Sequence, residues 1–190
     1  GYFDELLINT QGLGNDPYQY ATFRIQKNKF YRYDGVWRSN AYYNPALPIA
    51  FGQHFMDTTR RLQDHDFVFL PQSNFRLLAG YTRNSQSGPA LSTLNINEHR
   101  GDEFTLFSNV RRQQNEYRVG FEAKLAGTKL HVLRGWENFK EDTPTDLNLL
   151  APGRSTTDAN TLTRYLRREP YHGNSPYWRI GLFREDQEFW

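Results

Sequence analysis

A chain of 190 residues with a formal net charge of +2 is long enough for one large domain or a piece of a larger one, and it carries no basic excess of the kind that marks a nucleic-acid binder. The absence of cysteine removes disulfides, thiolate metal ligands, cysteine nucleophiles and c-type haem attachment, while a mean hydropathy of −0.81 without a long apolar run excludes a helical membrane span. A membrane β-barrel passes the same test, because only alternate residues of its strands must be apolar. The sequence starts at Gly1 with no charged and then apolar leader, so any targeting signal is expected to have been removed or to lie outside it.

In chain order, Phe3–Thr10 is a first candidate strand, followed by strands at 19–27 and 29–43 that reverse at Lys27-Asn28-Lys29. In the second of these Tyr31, Tyr33, Gly35 and Trp37 alternate with Arg32, Asp34, Val36 and Arg38. A long polar connection runs from Asn44 to about Thr58. Strands at 58–70 and 74–84 then flank Pro71-Gln72-Ser73-Asn74, with Phe75, Leu77, Ala79 and Tyr81 set against Arg76, Leu78, Gly80 and Thr82. A second long connection is expected from Ser85 to Gln113.

The clearest pattern follows. Tyr117, Val119, Phe121, Ala123 and Leu125 alternate with Arg118, Gly120, Glu122 and Lys124, a run about as long as a barrel strand needs to cross a bilayer. After a turn at Ala126-Gly127-Thr128 the strand at 128–140 returns through Leu130, Val132 and Trp136. Arg134 falls on its apolar side, which requires either a place near a membrane rim or a bulge at Gly135 that re-phases the strand. A third long connection runs from about Glu141 to Asn160. Strands at 160–169 and 176–186 then reverse at Tyr171–Pro176, with Trp178, Ile180 and Leu182 alternating with Arg179, Gly181 and Phe183.

Short and long connections therefore alternate along the chain. Outer-membrane barrels do this as a rule, with short periplasmic turns and long external loops, whereas structureless loops beyond about 12–15 residues are uncommon in compact soluble domains. The aromatic content of 16% suits strands and interfacial girdles, and equally the filling of an ordinary β core. The expected fold is all-β: an antiparallel up-and-down transmembrane β-barrel of about eight strands, forming one domain over 1–190. Counted back from Trp190, the alternate positions Glu188, Asp186 and Arg184 do not make the apolar closing strand of such barrels, so the chain is expected to be the leading portion of a larger one. Tyr117, Val119, Phe121, Leu125, Trp178 and Ile180 are expected to face lipid, and Arg76, Arg118, Glu122, Lys124 and Arg179 to line the lumen. This facing predicts that Phe121→Asp blocks assembly while Glu122→Gln is nearly silent.

No reaction chemistry stands out. His54, His65, His99, His131 and His172 show no metal-ligand spacing, and no GxSxG, P-loop or GxGxxG motif is present. His65 lies between Asp64 and Asp66, but neighbours in a strand face opposite ways. Glu137, Glu141 and Asp142 read as a solvated rim, and the dyads Arg60-Arg61, Arg111-Arg112 and Arg167-Arg168 as rim or lumen charges. Neither an enzyme nor a resident cofactor or metal is expected.

The segments FDELLINTQGLGNDPYQYATFRIQKNKFYRYDGVWRSNAYY, MDTTRRLQDHDFVFLPQSNFRLLAGYTRNSQSGPAL and NEYRVGFEAKLAGTKLHVLRGWENFKEDT resemble outer-membrane β-barrels of acidobacterial type. More distantly, a Leu-Gly-Asn turn, a strand and then KNKFYRYDG are similar to the decahaem-associated MtrB/PioB barrels. The resemblance covers most of the chain. It implies a bacterial outer-membrane location, lipid around the barrel, and a role as a pore or as a sheath for a partner such as a multihaem cytochrome, which would carry the haem motifs itself. It transfers no ligand or catalytic residue. Two further classes stand beside it: a soluble β-rich carbohydrate- or ligand-binding domain, whose aromatics would cluster on one loop-rich patch, and a β-scaffold enzyme such as a glycosidase.

Overall fold

The computed structural model describes residues 1–14, 16–45, 55–95, 103–146 and 171–184. Within them the alternating segments form strands β1 (Glu5–Gln11), β2 (Tyr18–Lys27), β3 (Tyr31–Asn44), β4 (Phe55–Phe69), β5 (Phe75–Asn95), β6 (Glu103–Leu125), β7 (Thr128–Glu141), β8 (Thr145–Asp146) and β9 (Tyr171–Arg184). Eight of them make one antiparallel up-and-down sheet in the order β1-β2-β3-β4-β5-β6-β7-β9, and the two-residue β8 adds to β6. Among the described residues there is no helix, and β1 and β9 are not joined, so the sheet is open.

Three short reversals lie at one end of the sheet, the turn end. Ala126-Gly127 joins β6 to β7 with φ of 48° and 75°, the two left-handed residues of a tight type I′ hairpin, and Leu125 pairs Thr128 across it. Lys29 (φ 68°) and Leu70 (φ 53°) take left-handed backbone in the β2–β3 and β4–β5 reversals. The Lys27–Tyr31 pair that closes β2–β3 and the Phe69–Leu77 pair that closes β4–β5 lie on one row, and this row leads to Phe121, four residues short of Leu125, where β6–β7 closes. Between the first and the third turn the end advances four residues over four strand steps, an average of one per strand.

Several expectations change at the opposite, loop end. The connection expected from Ser85 to Gln113 is mostly strand: β5 and β6 run 21 and 23 residues, and pair without a break from Phe75–Ala123 to Asn95–Glu103. Ser85–Ser87 and Arg111–Gln113 there are polar on both faces, and further on Ala90 and Val110 fall on one face and Leu91 and Phe107 on the other, so no single apolar face marks the segment by period two. Backbone hydrogen bonding to a long partner strand needs no such period. The reversal expected at Tyr171–Pro176 is strand as well, all of it paired with β7. Gly173, Asn174 and Pro176 are turn formers, but they sit in an edge strand of the described sheet, where a residue without an N–H is tolerated. The expected strand at 160–169 lies outside the described residues. No bulge occurs at Gly135: β7 keeps a single register from Thr128 to Glu141 against both β6 and β9.

Almost nothing is buried. The buried apolar side chains of the described residues are Ala90, Val110 and Leu133. A sheet needs a covered face to stabilise it, and the described residues form no second layer.

Candidate functional site

Directly paired residues in an antiparallel ladder share a face, so the register sorts the side chains of the strands into two sets. One set is apolar. Its first row crosses all eight strands as Leu6, Ile25, Tyr33, Phe67, Ala79, Val119, Arg134 and Trp178. The next row towards the loop end reads Ile8, Phe23, Gly35, His65, Tyr81, Tyr117, Trp136 and Pro176. The aromatic residues of this second row touch: His65 and Tyr81 stack at 6.1 Å and Tyr81 meets Tyr117 at 5.1 Å. Phe23 lies over Gly35, where a Cβ would meet its ring at 2.3 Å. One row further on, the same face turns polar through Gln63, Arg83, Asn115, Asn138 and Asn174.

The imidazole and the guanidinium within these two rows are both shielded. His65 shares a 2.7 Å hydrogen bond with the Tyr33 hydroxyl and stacks on its ring. The Arg134 guanidinium lies 4.7 Å from the centre of the Trp178 ring and 5.3 Å from that of Trp136, a cation held between two π faces. The charge that conflicted with the apolar pattern thus stays on that face, next to the aromatic row.

The other face is ionic. A single row crosses the sheet as Leu7, Arg24, Asp34, Asp66, Gly80, Arg118, Gly135 and Tyr177. Arg24 Nε donates to Asp34 Oδ1 at 2.5 Å. Arg118 lies flat across Gly80, donating to Asp64 Oδ1 at 2.8 Å, Asp66 Oδ1 at 3.0 Å and Thr82 Oγ1 at 2.7 Å, with Glu116 3.4 Å away. A Cβ on Gly80 would meet the Arg118 Nε at 2.6 Å and Asp66 Oδ1 at 2.9 Å. Tyr177 does the same across Gly135 and donates its hydroxyl proton to Glu116. Glycine on one strand is therefore the space in which a long side chain from the next reaches a third.

A second cluster lies nearer the turn end. Glu122 takes Lys129 at 3.2 Å, His131 Nδ1 at 3.2 Å and Arg76 at 3.6 Å, with only 16% of its side chain exposed. Arg32, Asp66, Arg118, Leu133 and Arg179 line a depression of about 480 Å³ on this face. No group of His, Asp and Glu among the described residues is arranged to hold a metal ion.

Every residue expected to line a lumen lies on the ionic face: Arg76 and Glu122 as an ion pair, Arg118 at the network's centre, Arg179 beside the depression, and Lys124 opposite Lys129 near the β6–β7 turn. Tyr117, Val119, Phe121, Leu125, Trp178 and Ile180 all lie on the apolar face. Sequence reasoning missed Asp64, Asp66, Glu116 and Tyr177. The available signal was Gly80 and Gly135 at polar-face positions, but which strands stand beside them depends on register. Glu122→Gln, expected to be nearly silent, removes the anion from three basic groups and so has a local cost that facing alone does not reveal. Comparison with protein-family models, curated proteins and solved structures finds no match to this chain.

Proposed function

We propose that the chain forms the wall of a transmembrane β-barrel of the bacterial outer membrane, its apolar face against lipid and its ionic face inward, serving as a pore or as a sheath for a partner protein. One observation carries this reading: the described residues bury three apolar side chains, while the apolar face stands exposed on β1, β4, β5, β6, β7 and β9, from Ile8 at 63% through Val119 at 48% to Trp178 at 64% and Ile180 at 67%, and is half-buried on β2 and β3 at Phe23, Ile25, Tyr31 and Tyr33. Monomeric soluble proteins rarely leave so extensive an apolar surface open to water. The aromatic row followed at once by Asn, Gln and Arg supports an interfacial girdle. The mean stagger of the turns supports it too: an average of one residue per strand from β2–β3 to β6–β7, at about 3.3 Å along and 4.8 Å across, corresponds to a mean tilt of about 35°, within the range of barrel strands. Aromatics spread as a row, rather than gathered on a loop-rich patch, speak against the soluble binding domain.

Within this reading, the ionic row gives the interior fixed charges of both signs, as suits a water-filled channel or a polar partner surface. A multihaem cytochrome as that partner rests on the resemblance set out above. The test is extraction: the protein should require detergent or lipid to remain monodisperse and should show heat-modifiable electrophoretic mobility when folded. A monodisperse, β-folded protein in plain buffer contradicts the barrel. Purification from native membranes without any haem-containing companion contradicts the cytochrome sheath and leaves the barrel standing.

A further inference from the structure

Beyond the aromatic row, towards the loop end, the outward face carries a cluster of cations that neither a pore nor a sheath explains. Arg61, Ser85, Gln113 and Lys140 form one row across β4 to β7, with Arg83 on the row before and Arg111 on the row after. Arg61 and Lys140 are three strands apart, about 14 Å at the usual strand spacing. These four cations, with Arg112 at its border, line a concavity of about 320 Å³ in which Asp142 is the one carboxylate among the described residues. Arg83 donates to Gln113 at 3.2 Å, while Arg61, Arg111 and Lys140 form no ion pair among the described residues. The dyad partners on the opposite face are engaged: Arg60 donates to Asn84 and Arg112 pairs with Glu141.

From this placement we infer that Arg61, Arg83, Arg111 and Lys140 form a binding site for the phosphate of an anionic lipid headgroup. The inference rests on the barrel reading and extends it to a ligand. The cluster is continuous with Tyr81, Tyr117 and Trp136 and begins two to six residues past them, which is headgroup depth if the aromatic row marks the edge of the hydrocarbon. Unpaired cations beside serine and glutamine donors complement a phosphate ester, and that depth favours a lipid over a soluble anion.

The test uses the full chain folded in phosphatidylcholine, supplied with phosphatidylglycerol, and counts retained lipid by mass spectrometry. The wild type should retain phosphatidylglycerol about tenfold over phosphatidylcholine, and the preference should shrink in about 1 M salt. Arg61→Gln/Arg83→Gln/Arg111→Gln/Lys140→Gln should bring it near parity, whereas Lys29→Asn at the turn end should not. If the fourfold variant fails to fold, Arg61→Gln/Lys140→Gln carries the same expectation at smaller amplitude. No preference in the wild type, or an equal preference in the variants, overturns the lipid site while the folded protein upholds the barrel. Release of the lipid by millimolar inorganic phosphate would make the ligand a soluble anion and overturn the lipid assignment. Failure of the wild type to fold in either lipid would overturn both.

Discussion

At the residue scale, Arg134 shows how one charge is tolerated on an otherwise apolar surface. Two tryptophans from different strands cover it, at 4.7 and 5.3 Å, and each such contact contributes about 1 kcal/mol when partly desolvated. Trp178→Ala should therefore lower unfolding stability in lipid vesicles by about 2 kcal/mol, while Arg134→Leu should be neutral or stabilising; urea titration of both variants checks the signs. Phe121→Asp places a carboxylate in the middle of the apolar band, costing about 3 kcal/mol, and should abolish folding into vesicles as read by electrophoretic mobility. On the ionic face, Gly135→Val pushes a side chain into space held by the Tyr177 ring, which a Cβ would meet at 2.2 Å. It should cost about 2 kcal/mol by overpacking, and Tyr177→Ala in the same chain should recover part of that loss. The facing of each singled-out side chain was legible in the sequence, since it needs only period two. The pairing of Arg118 with Asp64 and Asp66 was not, because residues 54 and 52 positions apart meet only once the register is known.

At the element scale, strand identity was readable wherever one face was apolar. β2, β3, β4 and β7 begin and end within about three residues of the expected bounds, and the β6–β7 turn lies where Ala126-Gly127 placed it. The expectation failed where apolar residues are not gathered on one face. In the loop-end halves of β5 and β6, Ser85-Gln86-Ser87 opposite Arg111-Arg112-Gln113 is polar on both faces, and Ala90 and Val110 lie on the face opposite to Leu91 and Phe107, so the strand structure follows from backbone pairing rather than from period two. It failed again at Tyr171–Pro176, where turn-forming residues occupy an edge strand. A chain without cysteine makes the β5–β6 extension simple to check. Ser85→Cys/Gln113→Cys joins directly paired positions, whose Cα separation of about 5 Å suits a disulfide, so the pair should cross-link on mild oxidation. A reduced pair after oxidation would mean that these residues form a loop or hold another register.

At the scale of the whole molecule, the question is what covers the apolar face. Eight strands in simple succession expose it as one surface, and the described sheet has no layer with which to cover it. Trp37, Trp136 and Trp178 all lie on that side, so intrinsic fluorescence reports its surroundings. The most direct measurement keeps Trp178 as the single tryptophan, with phenylalanine replacing Trp37, Trp136 and Trp190, and folds the protein into vesicles whose acyl chains carry bromine. If the face meets lipid, the bromines should quench Trp178 strongly while aqueous iodide barely does. Strong quenching by iodide with none from the brominated chains would contradict the membrane barrel.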